Sequence, residues 1–252
     1  MIDYEKRGNV ALITINRPEA KNAVNGDVAE GIEAAIDKAE ADDEIWLGVL
    51  THAGDVFCAG ADLKAINSGD AARLSTPTGG FGGITSKQRT KPIIVAMNGP
   101  AYAGGCEIVL SCDLVVASTD AKFGVPEVKR NLVAAAGALF RLPAAMPKNL
   151  AMEMLLTGDP IEAQRAYEVG FVNRLAEPGK AVDVALEFAA QISENAPLAV
   201  RKSREIALKS YDSDEEAFHD SAVAMGEVMS SEDTKEGLTA FIEKRKPNWQ
   251  GK

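Results

Sequence analysis

Residues 92–118 read PIIVAMNGPAYAGGCEIVLSCDLVVAS. The stretch 92–98 is an apolar run of strand length, closed by Asn98-Gly99-Pro100. Gly104-Gly105-Cys106-Glu107 then opens an apolar helix, and 113–117 is strand-like again. Strand, small-residue turn, helix and strand in so short a span predict an α/β fold with mostly parallel strands.

The pattern extends in both directions. Residues 10–16, VALITIN, and 45–50, IWLGVL, read as strands. Between them, 27–41 places Val28, Ile32, Ala35, Ile36 and Ala39 on one helical face. From Asp70 to Pro92 the periodicity is lost around TPTGGFGGITS, which predicts a mobile surface loop, either a linker or a lid. Beyond Pro147 the chain is mainly helical. Asp159-Pro160-Ile161-Glu162 has the cap, early proline and glutamate of a helix start. FVNRLA at 171–176 predicts one last strand, and three helices follow Ala196-Pro197.

Composition bounds the function. The 252 residues suffice for one large domain with a helical addition, and their apolar and charged fractions are those of a globular protein. A net charge of −10 argues against a nucleic-acid or anionic-membrane surface. The N-terminus MIDYEKRGNV has no apolar core of signal-peptide length and no stretch is long enough for a membrane span, so cytoplasm is expected. Cys58, Cys106 and Cys112 are an odd count and read as reduced thiols. Only His52 and His219 are present, with no metal-binding motif, which weakens Ser-His and zinc chemistry.

Two turns carry the chemistry. Phe57-Cys58-Ala59-Gly60-Ala61-Asp62-Leu63-Lys64 and Asn98 through Glu107 each run from a strand through small residues into a helix start. Free N–H groups at such turns suit a developing oxyanion, although tight packing alone can explain each turn. Glu107 opens one helix. Phe123-Gly124-Val125-Pro126-Glu127 ends another turn in a glutamate. Two carboxylates can hold one water, one taking a proton and the other giving one, but spacing alone does not bring these two together. Cys58 and Cys106 flank the turns, and small-residue packing explains them better than a nucleophilic role.

FCAGADLK, NGPAYAGGCEIVLSCDLVVAS, AKFGVPEVK, MEMLLTG and FIEKRKPNW, taken in order, resemble the enoyl-CoA hydratase/isomerase, or crotonase, family across essentially the whole chain. The resemblance implies a spiral of strand-strand-helix turns over residues 1–195 and a helical region over 196–252 for trimerisation, with hexamers as dimers of trimers. It implies an oxyanion hole from the Ala61 and Gly104 N–H groups, and catalytic acids Glu107, chiefly the base toward water, and Glu127, the proton donor. Ala59, Ala61, Asp62, Leu63, Lys64 and Gly104 would contact substrate or its coenzyme A. Lys21 and, from a neighbouring subunit, Lys244 would reach the nucleotide handle. No metal or redox cofactor is implied, because coenzyme A is part of the substrate.

Retention of both glutamates favours hydration of a trans-2-enoyl-CoA. Isomerisation or dehydration of a specialised acyl-CoA, and non-catalytic acyl-CoA binding, are the alternatives. The chain departs from the family at Val128–Gly137, where alanines replace the usual Pro and Gly, and at the Gly-rich 79–83. Both regions line the acyl site in relatives, so the sequence leaves the acyl group open.

Overall fold

The computed structural model describes residues 1–209 and 214–252. In chain order its strands are β1 (Ile2–Arg7), β2 (Val10–Ile15), β3 (Leu47–His52), β4 (Ser75–Thr76), β5 (Gly80–Phe81), β6 (Ile93–Met97), β7 (Ala101–Tyr102), β8 (Leu114–Ser118), β9 (Lys122–Gly124), β10 (Ile161–Glu162) and β11 (Arg174–Ala176). Its helices are α1 (Gly26–Ala41), α2 (Leu63–Asn67), α3 (Gly104–Leu110), α4 (Ala138–Ala145), α5 (Lys148–Thr157), α6 (Ala163–Glu168), α7 (Ala181–Ser193), α8 (Pro197–Leu208), α9 (Asp214–Met229) and α10 (Glu232–Glu243).

The main sheet has the order β1-β2-β3-β6-β8-β11. From β2 onward every pairing is parallel, and only the edge strand β1 is antiparallel. Parallel strands covered on both faces should be apolar without interruption. All residues of β6 are buried, as are all those of β3. Alternation along the strands divides the core. Ile13, Leu50, Val95 and Ala117 share one cluster with α1, α3 and α4 residues, while Leu12, Val49, Ile94 and Val116 face α7.

The α1 prediction holds in detail. Asn25 accepts a hydrogen bond from the Val28 N–H, a cap typically worth about 1 kcal/mol, and the five predicted residues are buried. Three helices, α8 to α10, follow Pro197 as expected. Among the described residues, no helix is long and apolar enough to cross a membrane.

Two expectations change. The Gly-rich segment is not a surface loop. Gly82, Gly83, Ile84 and Thr85 are buried, and the segment contains the small β4–β5 hairpin. Glycine there permits close packing on α1 rather than mobility. The helix predicted to start at Asp159 begins later. Ile161 and Glu162 are instead a strand paired with Phe123 and Lys122, so tertiary pairing overrides the local cap signal.

A second, three-stranded sheet has the order β10-β9-β7. It is short, but it determines the site. Strand β7 leads into α3, and β9 leads into the 3-10 turn Pro126–Arg130.

Candidate active site

The two small-residue turns abut. Cys58 pairs with Ala101, the Phe57 N–H donates to Pro100 O at 3.0 Å, and the Tyr102 N–H donates to Cys58 O at 3.0 Å. Gly60 has φ +97°, and a Cβ there would lie 2.9 Å from Ala103 Cβ and 3.3 Å from Gly104 N. Only glycine satisfies both the backbone angle and the approach. Residues 60–61 therefore lie directly against the start of α3.

Each turn presents an N–H. The Val24 N–H donates to Gly60 O and the Asp62 N–H donates to Val24 O, so this bridge leaves the Ala61 N–H outside it. The Gly104 N–H is the first of α3 and has no intrahelical acceptor. Among the described residues neither N–H has a backbone acceptor. Ala103, immediately before, sits at φ 51° and ψ −128°. Such a conformation costs a non-glycine residue on the order of 1–3 kcal/mol, and here it aims the first N–H groups of α3.

The 61 turn is braced from behind. Arg17 Nη1 meets Asp62 Oδ2 at 2.7 Å, with both side chains largely buried. Asp62 also caps α2 through the Lys64 and Ala65 N–H groups. Burial alone would raise the Asp62 carboxyl pKa, but Arg17 and the two N–H groups outweigh it and hold the pKa below the usual range. Lys21 and Asn22 adopt left-handed backbone angles, and the Ala59 N–H donates to Lys21 O at 3.1 Å. Lys21, Ala59 and the 61–64 turn are thus neighbours, with Leu63 and Lys64 exposed.

The β7–β9 pairing brings the two glutamate turns together. Tyr102 is in register with Gly124, and the Ala103 N–H donates to Gly124 O at 2.8 Å. Glu107 follows on α3 and is 3% exposed. Its Oε1 accepts from the Ala138 N–H at 3.1 Å. Burial raises the Glu107 pKa most. The Ala138 N–H opposes that rise, the neighbouring Glu127 charge adds to it, and Arg141 opposes it. Burial also raises the Glu127 pKa, and its Oε2 is enclosed without a protein partner among the described residues. Desolvation sets both carboxyls apart from ordinary surface acids.

The three thiols are poor nucleophiles here. Burial pushes Cys58 and Cys112 up to about 12, and Cys106 is raised by the same cause. Lys244 does not join the cluster within one chain. It ends α10 in a left-handed cap, and α10 packs against α9 and the 248–252 tail.

A profile described as enoyl-CoA hydratase/isomerase matches residues 5–252. The chain belongs to the enoyl-CoA hydratase/isomerase family. It is 38% identical to the short-chain-enoyl-CoA hydratase of Clostridium acetobutylicum, covering 96% of this chain and 94% of that one. It is 37% identical to the carnitinyl-CoA dehydratase of Proteus mirabilis, covering 98% and 97%. A crystal structure of a probable enoyl-CoA hydratase/isomerase from Mycobacterium abscessus superposes with a TM-score of 0.94 at 49% identity, covering 100% and 98%. The crotonase-type fold and membership of an enzyme family follow from these matches.

Family membership gives the remaining contacts a context. Phe81 and Arg141 escaped the sequence reading. A Cβ on Gly104 would lie 2.4 Å from a Phe81 ring carbon, so the Gly-rich segment reaches the Gly104 turn through one aromatic ring. Arg141 is the lone charge in the apolar helix sequence ALFRLPAA, which was a readable signal. Nothing local marked Phe81, whose position depends on the folding of 79–85 onto α1.

Proposed function

We propose that the protein is an enoyl-CoA hydratase that adds water to a trans-2-enoyl-CoA and releases a 3-hydroxyacyl-CoA. The observation that carries this reading is the pairing of buried Glu107 with half-buried Glu127 beside two abutting turns with free N–H groups. In this reading the thioester carbonyl oxygen accepts from the Ala61 and Gly104 N–H groups. Ionised Glu107 takes a proton from water as the water oxygen bonds the β-carbon. The π electrons move onto the carbonyl oxygen as an enolate, and protonated Glu127 delivers its proton to the α-carbon. Glu107 ends protonated and Glu127 ionised, and exchange with solvent resets the pair. Each oxyanion donor typically lowers such a barrier by about 3–4 kcal/mol. Coenzyme A enters as part of the substrate, and the scheme uses no other cofactor.

The substrate handle would run along Lys21, Ala59 and Ala61–Lys64, with the Asp62 carboxylate bracing that turn. Lys244 would reach it from a neighbouring subunit. The region 196–252 would build trimers, and hexamers as pairs of trimers, on the core 1–195. Exposed Leu238, Phe241 and Ile242 on α10 support that role, being 60%, 84% and 78% exposed. A reducing cytoplasm suits the three free thiols. The Clostridium relative favours a short acyl group. The Proteus relative supports a second reading, in which the same acid pair runs the reaction in reverse as a dehydratase.

The test is the loss of enoyl-thioester absorbance with crotonyl-CoA. Glu107→Gln and Glu127→Gln should each lower kcat by roughly 10²–10⁴-fold. Near-wild-type rates in both variants would end the reading. A wild type active only on a 3-hydroxyacyl thioester would favour the dehydratase.

A further inference from the structure

Glu107 is buried, and burial disfavours the charged form of a carboxyl. The hydratase reading needs Glu107 ionised, so a nearby cation that is not already neutralised is of interest. Arg141 meets that description. Its Nη2 donates to Thr85 O at 2.6 Å and its Nη1 donates to Ser111 Oγ at 3.0 Å. Ser111 Oγ in turn donates to the Glu107 carbonyl at 2.7 Å. Among the described residues no carboxylate lies within salt-bridge distance of Arg141.

The guanidinium also ties three elements together. Thr85 follows the Gly-rich segment, Ser111 ends α3, and Arg141 itself lies on α4. The N-terminus of α4 provides the Ala138 N–H that holds Glu107 Oε1. A Cβ on Gly137, one residue earlier, would lie 2.4 Å from Arg141 Nη1, so the side chain folds back against that N-terminus. We propose that Arg141 is the positioning residue and counter-charge of Glu107, fixing the Ala138 N–H on the carboxylate and favouring its ionised form beside protonated Glu127.

Arg141 lines a cavity shared with Lys87, Arg89, Asp113, Arg201, Arg204 and Glu205, and Arg130 acts on Glu127. Glu107 feels Glu127 and Arg141, and the Cys106 thiol beside it is neutral. Arg141 feels Glu107, Arg89 and the neutral Cys112 thiol. Asp113 already occupies Arg89, together with Arg204. Glu107 is thus the carboxylate whose ionisation Arg141 assists.

The inference rests on the hydratase reading, and its test separates the two. Arg141→Gln keeps a hydrogen-bond donor and removes the charge, whereas Arg141→Lys keeps the charge. In Arg141→Gln the acid limb of kcat should rise by roughly one pH unit, as loss of a nearby counter-charge does to a carboxyl. On the acid side of the limb kcat should fall by up to about tenfold while KM stays within about twofold, because the loss concerns the reacting group and not substrate binding. Arg141→Lys should keep the wild-type limb. A carbon-13 NMR titration of the glutamate carboxyls, assigned with Glu107→Gln, reads the same shift without turnover. If hydration depends on Glu107 but neither limb nor titration moves in Arg141→Gln, the proposal is overturned. If the titration moves but the wild type hydrates nothing, Arg141 keeps its role and the hydratase reading falls. Should Arg141→Gln not fold, Arg141→Met removes the same charge, and a Glu107 titration left unmoved in it sinks the idea.

Discussion

At the scale of single residues, the site holds groups that stability alone would not select. Ala103 occupies a backbone conformation suited to glycine, and Glu127 hides a carboxyl oxygen with no protein partner among the described residues. The cost at Glu127 has a definite pH dependence. Burial raises its folded pKa above the unfolded value, so the folded state binds more protons between the two. Its contribution to stability is fully present below the unfolded pKa and is lost as pH rises through the folded one. Glu127→Gln removes the charged form altogether. The variant should therefore melt higher than wild type at pH 8, by roughly 2–4 °C if about 1 kcal/mol is recovered in a protein this size. The difference should vanish near pH 4. Calorimetry at both pH values checks this, and a lower melting point at pH 8 would contradict it. The presence of the two glutamates was legible in the sequence, because each closes a recognisable turn. Their nearness was not, because it comes from the Tyr102–Gly124 register, a pairing of two very short strands twenty residues apart. Arg141 could have been found as a lone cation in an apolar helix.

At the scale of elements, the parallel strands and α1 were readable because burial on both faces, or on one helical stripe, writes itself into composition. Elements whose form depends on a partner were not. Ile161–Glu162 carries a helix-start pattern but completes the β7–β9–β10 sheet, and the Gly-rich 79–85 reads as a loop but is packed against α1. The turn that carries Ala61 belongs to the second kind. Its shape is fixed by the Arg17–Asp62 pair and the α2 cap, which involve a residue far from the motif. Removing one member of such a largely buried pair leaves the other uncompensated, typically at a cost of about 3–5 kcal/mol. Asp62→Ala should therefore destabilise the protein by about that amount in urea titration. It should also lower kcat/KM for crotonyl-CoA more than Lys64→Ala, whose side chain is exposed. Because the Asp62 pKa is held low, the stability it provides is present above the ordinary aspartate pKa and is lost as pH falls through the lowered folded value. The gap between wild type and variant should thus narrow in acid. An Asp62→Ala protein as stable as wild type at neutral pH would show that the brace does nothing.

At the scale of the whole molecule, one chain brings together the Ala61 and Gly104 turns, both glutamates and Lys21, but not Lys244. Helix α10 rests on α9 and the tail, and it turns Leu238, Phe241 and Ile242 outward. Three large apolar side chains so exposed on the last helix of an acidic chain are a liability in a monomer and an asset at a subunit contact. The proposed trimer resolves both observations, covering the apolar face and carrying Lys244 toward a neighbour's nucleotide site. Light scattering should then give three or six times the 26.7 kDa of one chain. Phe241→Asp with Ile242→Asp should shift the population toward monomer. If Lys244 acts across the contact, the same double variant should raise KM for crotonyl-CoA several-fold and leave KM for the crotonyl-pantetheine thioester nearly unchanged, since only the former carries phosphates near the lysine. Lys244→Ala should reproduce that KM pattern without dissociating the assembly. A wild-type enzyme that turns over as a 26.7 kDa monomer, with KM indifferent to Lys244, would require the nucleotide end to be held within one chain, leaving Lys21 and Lys64 to do it.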